Sequence, residues 1–336
     1  MSTASTGPTV GGGWRRRRSL GLVLLFGTFG LLPLAIQFGV DPFYLVIATR
    51  IMIFAIAALS LDLILGFGAM VSFGHAAFVG IGAYAVGVAA SHGVNELLLQ
   101  ILLAMAAATA FGLITGVISL RTKGVYFIMI TLAFGQMAYF LMVSLSAYGG
   151  DDGLTLPARS TLFGQDWLEN DLFFYYLVLA FLLASFLILR SMIAARFGRV
   201  LRGTRDNADR MNAIGFAPLP YQLTAYMIAG VIAALAGTLL ANQAEFVSPA
   251  YMTWQRSGEL IMMVVVGGMG TLTGGILGAA VFSLLEEFLS GFSQHWKLAL
   301  GVILVLIVLY GKGGIHGIIA KLHGVIANLF GGRIDR

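Results

Sequence analysis

Residues 172–193 read LFFYYLVLAFLLASFLILRSMI, a run with no charged side chain before Arg190. An α-helix rises about 1.5 Å per residue, so about 20 apolar residues cross the roughly 30 Å hydrocarbon layer of a membrane. Similar runs recur along the whole chain of 336 residues, of which 59% are hydrophobic and only 10% are charged. That composition excludes a soluble domain of this length. The sequence therefore predicts an integral membrane protein.

The two segments that flank this run carry opposite charge. Five arginines follow it within residues 194–220, whereas residues 148–171 before it hold five acidic side chains against the single Arg159. Lys and Arg collect in the cytosolic loops of membrane proteins. We therefore predict that 194–220 is a cytosolic loop and that 148–171 is the longest external loop.

The same rule orients the rest of the chain. Ten apolar segments can be placed so that all but four of the 20 Lys and Arg residues lie on the cytosolic side. We predict an all-α fold, a polytopic transmembrane helical bundle of about 10 spans with cytosolic N- and C-termini. We expect a disordered basic N-terminal tail at 1–18, a transmembrane domain at 19–311 and a cytosolic C-terminal tail at 312–336. The predicted spans run at about 19–39, 43–65, 70–90, 97–119, 124–147, 172–193, 221–243, 257–273, 274–291 and 296–311.

Several functional classes are excluded by what the sequence lacks. The chain has no cysteine, so it forms no disulfide, thiolate metal site or cysteine nucleophile. Its five histidines lie far apart in sequence, and no nucleophile–base or metal-ligand spacing is present. The segment Gly311-Lys312-Gly313 lacks the upstream glycine and the hydroxyl of a phosphate-binding loop. We therefore predict that the chain is not an enzyme or an ATPase, binds no metal or cofactor, and has no nucleic-acid partner.

Polar and small residues are concentrated in residues 60–87, SLDLILGFGAMVSFGHAAFVGIGAYAVG. Ser72 and His75 are three residues apart and can share one side of a helix. Polar groups at membrane depth are costly and face a partner or a cavity. One interpretation is that both side chains bond to adjacent helices; the other is a broken helix that lines a translocation path. The candidate path residues are Ser72, His75, Tyr84, Thr131 and Gln136.

The basic loop has the pattern of a short helix. Apolar residues from Phe197 to Met211 recur at helical spacing, with arginines on the other face. Asp206 suits an N-cap, with Asp209 at the capping-box position. Gly215 suits a helix stop, so we predict a cytosolic helix at about 207–214. Such a helix either rests on anionic lipid or inserts into a groove of a soluble partner, and the residues alone leave both open.

A second glycine-rich stretch, GGMGTLTGGILG at 267–278, places Gly270, Gly274 and Gly278 four residues apart. This spacing is typical of close helix packing in membranes. The same glycines could instead support a re-entrant hairpin, so 257–291 forms either two spans or a hairpin.

Charged residues also fall inside predicted spans. Arg50 lies about 10 Å from the outer boundary at 1.5 Å per residue, and Glu259, Glu286 and Glu287 lie at similar depth. Such residues are commonly paired, so we predict an ion pair between Arg50 and Glu286. The alternative is that Arg50 meets a substrate carboxylate. Asp62, near the cytosolic end of its span, could reach water and needs no special role.

Residues 43–312 resemble the permease subunits of branched-chain amino acid ABC transporters of the LivM type. The resemblance is strongest in Ser72-Phe-Gly-His-Ala-Ala-Phe and the preceding Leu61-Asp-Leu. It continues in Arg121-Thr-Lys-Gly-Val-Tyr-Phe, in Gly149-Gly-Asp-Asp-Gly-Leu and in Val266-Gly-Gly-Met-Gly-Thr-Leu. Further matches are Gly82-Ala-Tyr, Thr131-Leu-Ala-Phe, Phe197-Gly-Arg-Val-Leu-Arg, Arg205-Asp-Asn and Ala213-Ile-Gly-Phe.

The resemblance implies a fold similar to type II ABC importer permeases, in a bacterial cytoplasmic (inner) membrane. It implies four partners of this membrane-embedded chain: a sister LivH-like permease, two cytosolic ABC ATPases that hold ATP and Mg, and an extracytoplasmic binding protein. The resemblance implies that Asp151 and Asp152 contact that binding protein. The resemblance also implies that 196–216 contains the helix that couples to an ATPase. The residues assigned to this coupling loop are Phe197, Arg199, Leu201, Arg202, Arg205, Asp206, Asn207, Met211 and Gly215.

The expected function is that of a permease subunit of an ATP-driven importer for branched-chain or other hydrophobic amino acids, which works by alternating access with its sister permease. Related permeases for urea, short amides or other amino acids share these motifs and remain an alternative. An ion-coupled secondary transporter is a less favoured alternative, because such a carrier has no need of a docking helix. An intramembrane enzyme is disfavoured because paired catalytic groups are lacking.

Overall fold

The computed structural model describes residues 25–34, 41, 43–292, 295–310, 313, 314 and 317. The predicted tail at 1–18, most of the tail at 312–336 and the flanks of the first predicted span lie outside the described residues. The described chain is helical apart from one two-stranded sheet. Its α-helices are α1 (Leu25–Leu34), α2 (Phe43–Leu65), α3 (His75–Ser91), α4 (Leu97–Ser119), α5 (Val125–Ser144), α6 (Asp171–Ala194), α7 (Arg196–Asp206), α8 (Ala208–Ala213), α9 (Pro218–Ala244), α10 (Trp254–Gly267), α11 (Leu272–Ser290) and α12 (Trp296–Tyr310).

Six of the described helices, α2, α4, α5, α6, α9 and α11, are long and apolar enough to cross a membrane by length and composition. The described part of α1, together with α3 and α12, is apolar but shorter, and α10 has 14 residues. The all-α membrane fold is therefore confirmed, and each of the ten predicted segments contains a helix. The number of crossings and the side of the termini stay predictions.

α2 forms the centre of the bundle. Every residue from Ile51 to Leu65 is buried, as expected of a helix that is apolar on all faces. α6, α9, α10 and α11 surround it. Beside it, α3 and α9 pack backbone to backbone. A Cβ on Gly82 would overlap the backbone of Ala234, and one on Gly237 would overlap that of Val79, so small residues determine this close approach.

α10 and α11 form a helical hairpin. The chain turns at Gly268 and Gly270, whose φ angles are 113° and 75°. α10 therefore ends at Gly267, earlier than the predicted span end at 273. The two helices pack closely, because a Cβ on Gly278 would overlap the carbonyl oxygen of Met263 and one on Gly267 that of Gly274. The close packing predicted for this glycine stretch is confirmed.

The segments 148–171 and 194–220 lie at opposite ends of α6, whose 24 residues span about 36 Å. At one end β1 (Leu154–Thr155) pairs antiparallel with β2 (Phe246–Val247) and ties 148–171 to the end of α9. Short 3₁₀-helices at Ser146–Tyr148, Trp167–Glu169 and Pro249–Met252 lie around this sheet. At the other end α7 and α8 make up most of 194–220. The two segments of opposite charge are thus on opposite sides of the bundle.

Candidate functional site

The chain between α2 and α3 is not helical. Residues 66–74 connect the two helices, and all but three of them are buried. α3 therefore begins at His75, five residues later than the predicted span start at 70. Gly74 permits this path, because a Cβ there would overlap the carbonyl oxygen of Thr131 on α5. The break has the geometry of the broken-helix interpretation.

The candidate path residues lie mostly inside the packing of this chain. Ser72, His75, Tyr84 and Thr131 are each at most 3% exposed, whereas Gln136 is partly exposed. His75 Nε2 lies 2.8 Å from Ser60 Oγ on α2, and Thr131 Oγ1 donates to the carbonyl of Ile128 in its own helix at 2.9 Å. Bonding between adjacent helices, the other interpretation, thus also describes His75. The path assignment stays a prediction.

The basic segment contains two helices, α7 and α8, where one was predicted. The N-cap of α8 is Asn207, whose side-chain oxygen accepts the backbone N–H of Arg210 at 2.9 Å. The assignment of Asp206 as N-cap is wrong, since Asp206 is the last residue of α7. Both residue types cap helices equally well, so the sequence alone could not place the boundary between two consecutive helices.

The predicted helix stop at Gly215 is confirmed. Gly215 has a φ of 90°, and its N–H donates to the carbonyl of Asn212 while that of Phe216 donates to the carbonyl of Met211. This double hydrogen bond around a left-handed glycine is a Schellman motif. Pro218 then occupies the first turn of α9, where its missing N–H costs nothing. α9 accordingly begins three residues before the predicted span.

The apolar side chains among the predicted coupling residues are buried or half-buried. Leu201 and Met211 are 0% and 9% exposed, and Phe197 is half-buried with its ring 5.9 Å from that of Tyr221. These residues hold α7 and α8 against the bundle. The exposed apolar residues are instead Ile214 at 61% and Phe216 at 40%, which the prediction did not single out. In the sequence, the feature that could have indicated Ile214 and Phe216 is their position directly after a short capped helix.

Arg202 and Arg199 of α7 contact backbone carbonyls at the end of α6. Arg202 Nη2 donates to the carbonyl of Ile193 at 3.2 Å, while its Nε donates to the carbonyl of Gly198 within α7 at 3.1 Å. The carbonyls in the last turn of a helix lack partners within that helix, and a cation there also interacts favourably with its dipole. Arg199 Nη1 lies 3.4 Å from the carbonyl of Ala194. α7 is thereby fixed to the end of α6.

Arg205 extends this attachment to the break after α2. Its Nη1 donates to the carbonyl oxygen of Gly66. Asp62, one turn earlier in α2, is 0% exposed and accepts the N–H of Gly270 through Oδ1 at 2.7 Å. The expectation that Asp62 reaches water is therefore wrong, because the turn between α10 and α11 covers it. We call Asp62, Gly66, Arg205 and Gly270 the cytosolic junction.

Charged residues of α2, α10 and α11 meet in the outer half of the bundle. Arg256 Nη1 lies 2.6 Å from Glu259 Oε2, and the guanidinium carbons of Arg50 and Arg256 each lie 5.8 Å from the centre of the Phe54 ring. The ion pairs of the described residues do not include Arg50–Glu286, which stays a prediction. Arg256 is not among the residues predicted from the sequence. We call Arg50, Arg256, Glu259 and Glu286 the outer charge cluster.

A scan of family models matches residues 43–310 to the family described as "Branched-chain amino acid transport system / permease component". The matched range covers nearly all the described helices, from α2 to α12. The chain belongs to this permease family.

Individual relatives agree with the family. The chain is 27% identical over 292 residues to the high-affinity branched-chain amino acid transport system permease proteins LivM of Salmonella typhimurium and Escherichia coli, covering 80% of this chain and 69% of each relative. It is 26% identical over 284 residues to the permease protein BraD of Pseudomonas aeruginosa, covering 79% of this chain and 91% of BraD. No solved structure matches the chain. The resemblance inferred from the motifs is thus confirmed.

The predicted external segment, residues 148–171, is folded. Arg159 Nη1 lies 2.7 Å from Asp171 Oδ1 and donates to the carbonyl of Leu168, while the N–H of Ser160 donates to Asn242 Oδ1 of α9 at 2.7 Å. Asp151 and Asp152 are both exposed in a turn on its surface. Their contact with a binding protein stays a prediction. No group of three or more His, Cys, Asp or Glu side chains within the described residues could hold a metal ion.

Proposed function

We propose that this chain is a transmembrane subunit of an ATP-driven importer for branched-chain or other hydrophobic amino acids. In this proposal it works with a sister LivH-like permease, two cytosolic ATPases that bind ATP and Mg, and an extracytoplasmic binding protein. One observation carries the proposal. The exposed helix α8 follows directly on α7, and α7 is attached through the cytosolic junction to the break between α2 and α3. Membership of a branched-chain amino acid permease family supports the substrate class.

The solvent-exposed surface of α8 suits a groove on a soluble partner. Asp209, Arg210 and Asn212 are exposed on it, and the apolar side chains of Ile214 and Phe216 project at its end. A short rigid helix with apolar side chains and a charged rim fits a protein groove. The buried residues Leu201 and Met211 fix the position of this helix relative to the bundle. We therefore assign ATPase docking to α8 and the Ile214–Phe216 end, and a supporting role to α7.

Movement of α7 would reach the transmembrane core by a short route. Arg202 holds α7 to the carbonyls at the end of α6, and Arg205 holds it to Gly66, the first residue after α2. Residues 66–74 lead from that point directly to His75 at the start of α3. Asp62 joins the same point to the turn between α10 and α11. A displacement of α8 therefore moves α7, and through α7 it acts on α3 and on the α10–α11 hairpin together. We assign the change between outward-facing and inward-facing states to this movement.

α5 is the described long helix with the least internal packing. Its buried residues are Phe127, Thr131, Gly135 and Ala138, a single stripe at helical spacing. The remaining surface carries large apolar side chains such as Tyr126 and Met137, 76% and 63% exposed. Because only one narrow stripe of α5 packs against the rest of the chain, we assign the remaining surface of α5 to contact with lipid or with the sister permease.

The proposal is tested with the full complex reconstituted in liposomes. Leucine uptake should require ATP inside the cytosolic compartment and should stop when an ATPase variant cannot hydrolyse it. Uptake driven by an ion gradient alone contradicts the proposal and favours a secondary transporter. Competition by urea or short amides, with none by leucine, would move the substrate to the other class known for related permeases.

Docking is tested separately by substitution. Ile214→Asp with Phe216→Asp should abolish co-purification of the ATPases, because both introduce charge into an apolar contact. The control is Phe163→Asp, an even more exposed aromatic residue (71%) at the opposite end of the bundle, which should leave ATPase binding unchanged. Normal ATPase binding by the double variant would mean that α8 rests on lipid.

A further inference from the structure

The outer charge cluster lies well inside the apolar belt. At 1.5 Å per residue, Arg50 and Phe54 lie about 10 and about 16 Å from the start of α2 at Phe43. Arg256 contacts Phe54 from α10. α11 packs antiparallel against α2 where Gly275 meets the backbone of Ala58 and Leu59, so Glu286, eleven residues after Gly275, lies at about the same depth as Arg50, nine residues before Leu59. Ionisable residues at such depth are costly in lipid, so they face an aqueous path or a partner.

Pairing within the cluster is incomplete. Arg256 and Glu259 are joined at 2.6 Å, but neither Arg50 nor Glu286 has an ion-pair partner among the described residues. Arg50 is exposed and Glu286 is half-buried. The cluster therefore contains one cation, Arg50, and one anion, Glu286, that have no ion-pair partner among the described residues. Both belong to the same cluster as the ion pair of Arg256 and Glu259.

An aliphatic surface lies beside these charges. A cleft between α2, α3, α9 and α10 is lined by Phe54, Val79, Leu240, Leu260 and Met263, with Tyr251, Arg256 and Glu259 on its polar side. Its free volume of about 10 Å³ is about that of one water molecule. An aliphatic side chain therefore enters only when α10 moves away from α2.

We infer that the outer charge cluster is a binding site for the zwitterionic part of an α-amino acid in transit. Arg50 binds the α-carboxylate and Glu286 the α-ammonium, while the aliphatic side chain of the substrate contacts Phe54 and the opening cleft. Arg256 and Glu259 are paired with each other, which leaves Arg50 and Glu286 to bind the substrate. This inference rests on the proposed transport of amino acids and names the residues that recognise them.

The test is equilibrium binding of tritiated leucine to the purified complex in nanodiscs, without the binding protein. Arg50→Gln and Glu286→Gln should each weaken leucine binding about tenfold or more, since each loses a charge-assisted hydrogen bond. Arg50→Lys keeps the cation and should lose less. The matched control is Glu287→Gln, which removes the neighbouring exposed acid and should leave leucine binding unchanged.

Analogues that lack one charge separate recognition from folding. Arg50→Gln should abolish the preference for leucine over leucinamide, which has no carboxylate, and should keep the preference over 4-methylpentanoate, which has no ammonium. Glu286→Gln should do the reverse. An equal loss of both preferences in either variant overturns the inference, because it indicates a general disruption.

Two further outcomes also overturn the inference. Recovery of leucine binding in Arg50→Glu with Glu286→Arg would show that these residues only pair with each other. Unchanged affinity in both single variants would show that the cluster does not touch substrate. Both outcomes leave ATP-driven uptake by the unmodified complex intact, so failure of this inference is distinct from failure of the proposed function.

Discussion

Arg205→Gln should separate ATP hydrolysis from transport. In the cytosolic junction Arg205 donates to the carbonyl of Gly66 and its charge acts on the buried Asp62. A hydrogen bond from a charged group contributes about 1.5–3 kcal/mol, and we take the lower figure because Arg205 is exposed to solvent. A loss of about 1.5 kcal/mol raises the population in which α7 has left Gly66 roughly tenfold.

The measurement is the number of ATP molecules hydrolysed per leucine imported by the reconstituted complex. The ratio should rise several-fold in Arg205→Gln, while the ATPases still bind, because α8 is unchanged. Arg199→Gln is the matched control, since Arg199 lies on the same helix and its one side-chain hydrogen bond among the described residues is to the carbonyl of Ala194 at 3.4 Å, not to Gly66. An equal ratio in Arg205→Gln, Arg199→Gln and the unmodified complex would refute transmission through Gly66. Loss of ATPase binding in Arg205→Gln would refute the division of roles between α7 and α8.

Three other predictions concern orientation, capping and packing. The natural chain has no cysteine, so Asn212→Cys should react with an impermeant maleimide only from the cytosolic side and Asp152→Cys only from the external side; the opposite pattern would invert the topology. Asn207→Ala should destabilise α8 by about 1 kcal/mol through loss of its cap and speed proteolysis at 207–215, whereas Asp206→Ala should change it little; equal effects would count against the assigned cap. Gly237→Val should destabilise the protein by about 1–3 kcal/mol or more, since its side chain overlaps the backbone of Val79. Gly301→Ala, with open space around it, is the control, and equal thermal unfolding of the two variants in detergent would contradict the packing argument.

Composition alone was sufficient for the class of fold. Apolar runs such as 172–193 are long because the membrane is thick, and this requirement acts on each helix separately, so the positions of the helices could be read from local sequence. The motifs around Ser72 and Gly149 were sufficient for the family. Helix ends were predicted less well: the third segment begins at His75, because only the contact of Gly74 with Thr131 on another helix fixes where the break ends.

The coupling segment shows the same limit more closely. The pattern from Phe197 to Met211 predicted a helix with an apolar face, but that face is buried against the bundle, and we propose docking at Ile214 and Phe216 instead. Periodicity shows that a face is apolar and does not show what covers it. Asp62 was likewise expected to reach water. Gly270, which contacts it, lies 208 residues further along the chain, so no local pattern could show that Asp62 is covered.

The sequence by itself determined that the chain is a helical membrane protein, which of its loops are basic, and to which family it belongs, because hydropathy, charge and motifs are properties of neighbouring residues. Only the tertiary structure decided which polar groups meet. The cytosolic junction and the outer charge cluster each join residues from helices far apart in the chain. The contacts of the cytosolic junction form because buried polar groups must find partners wherever packing brings them together, and no local pattern records that choice.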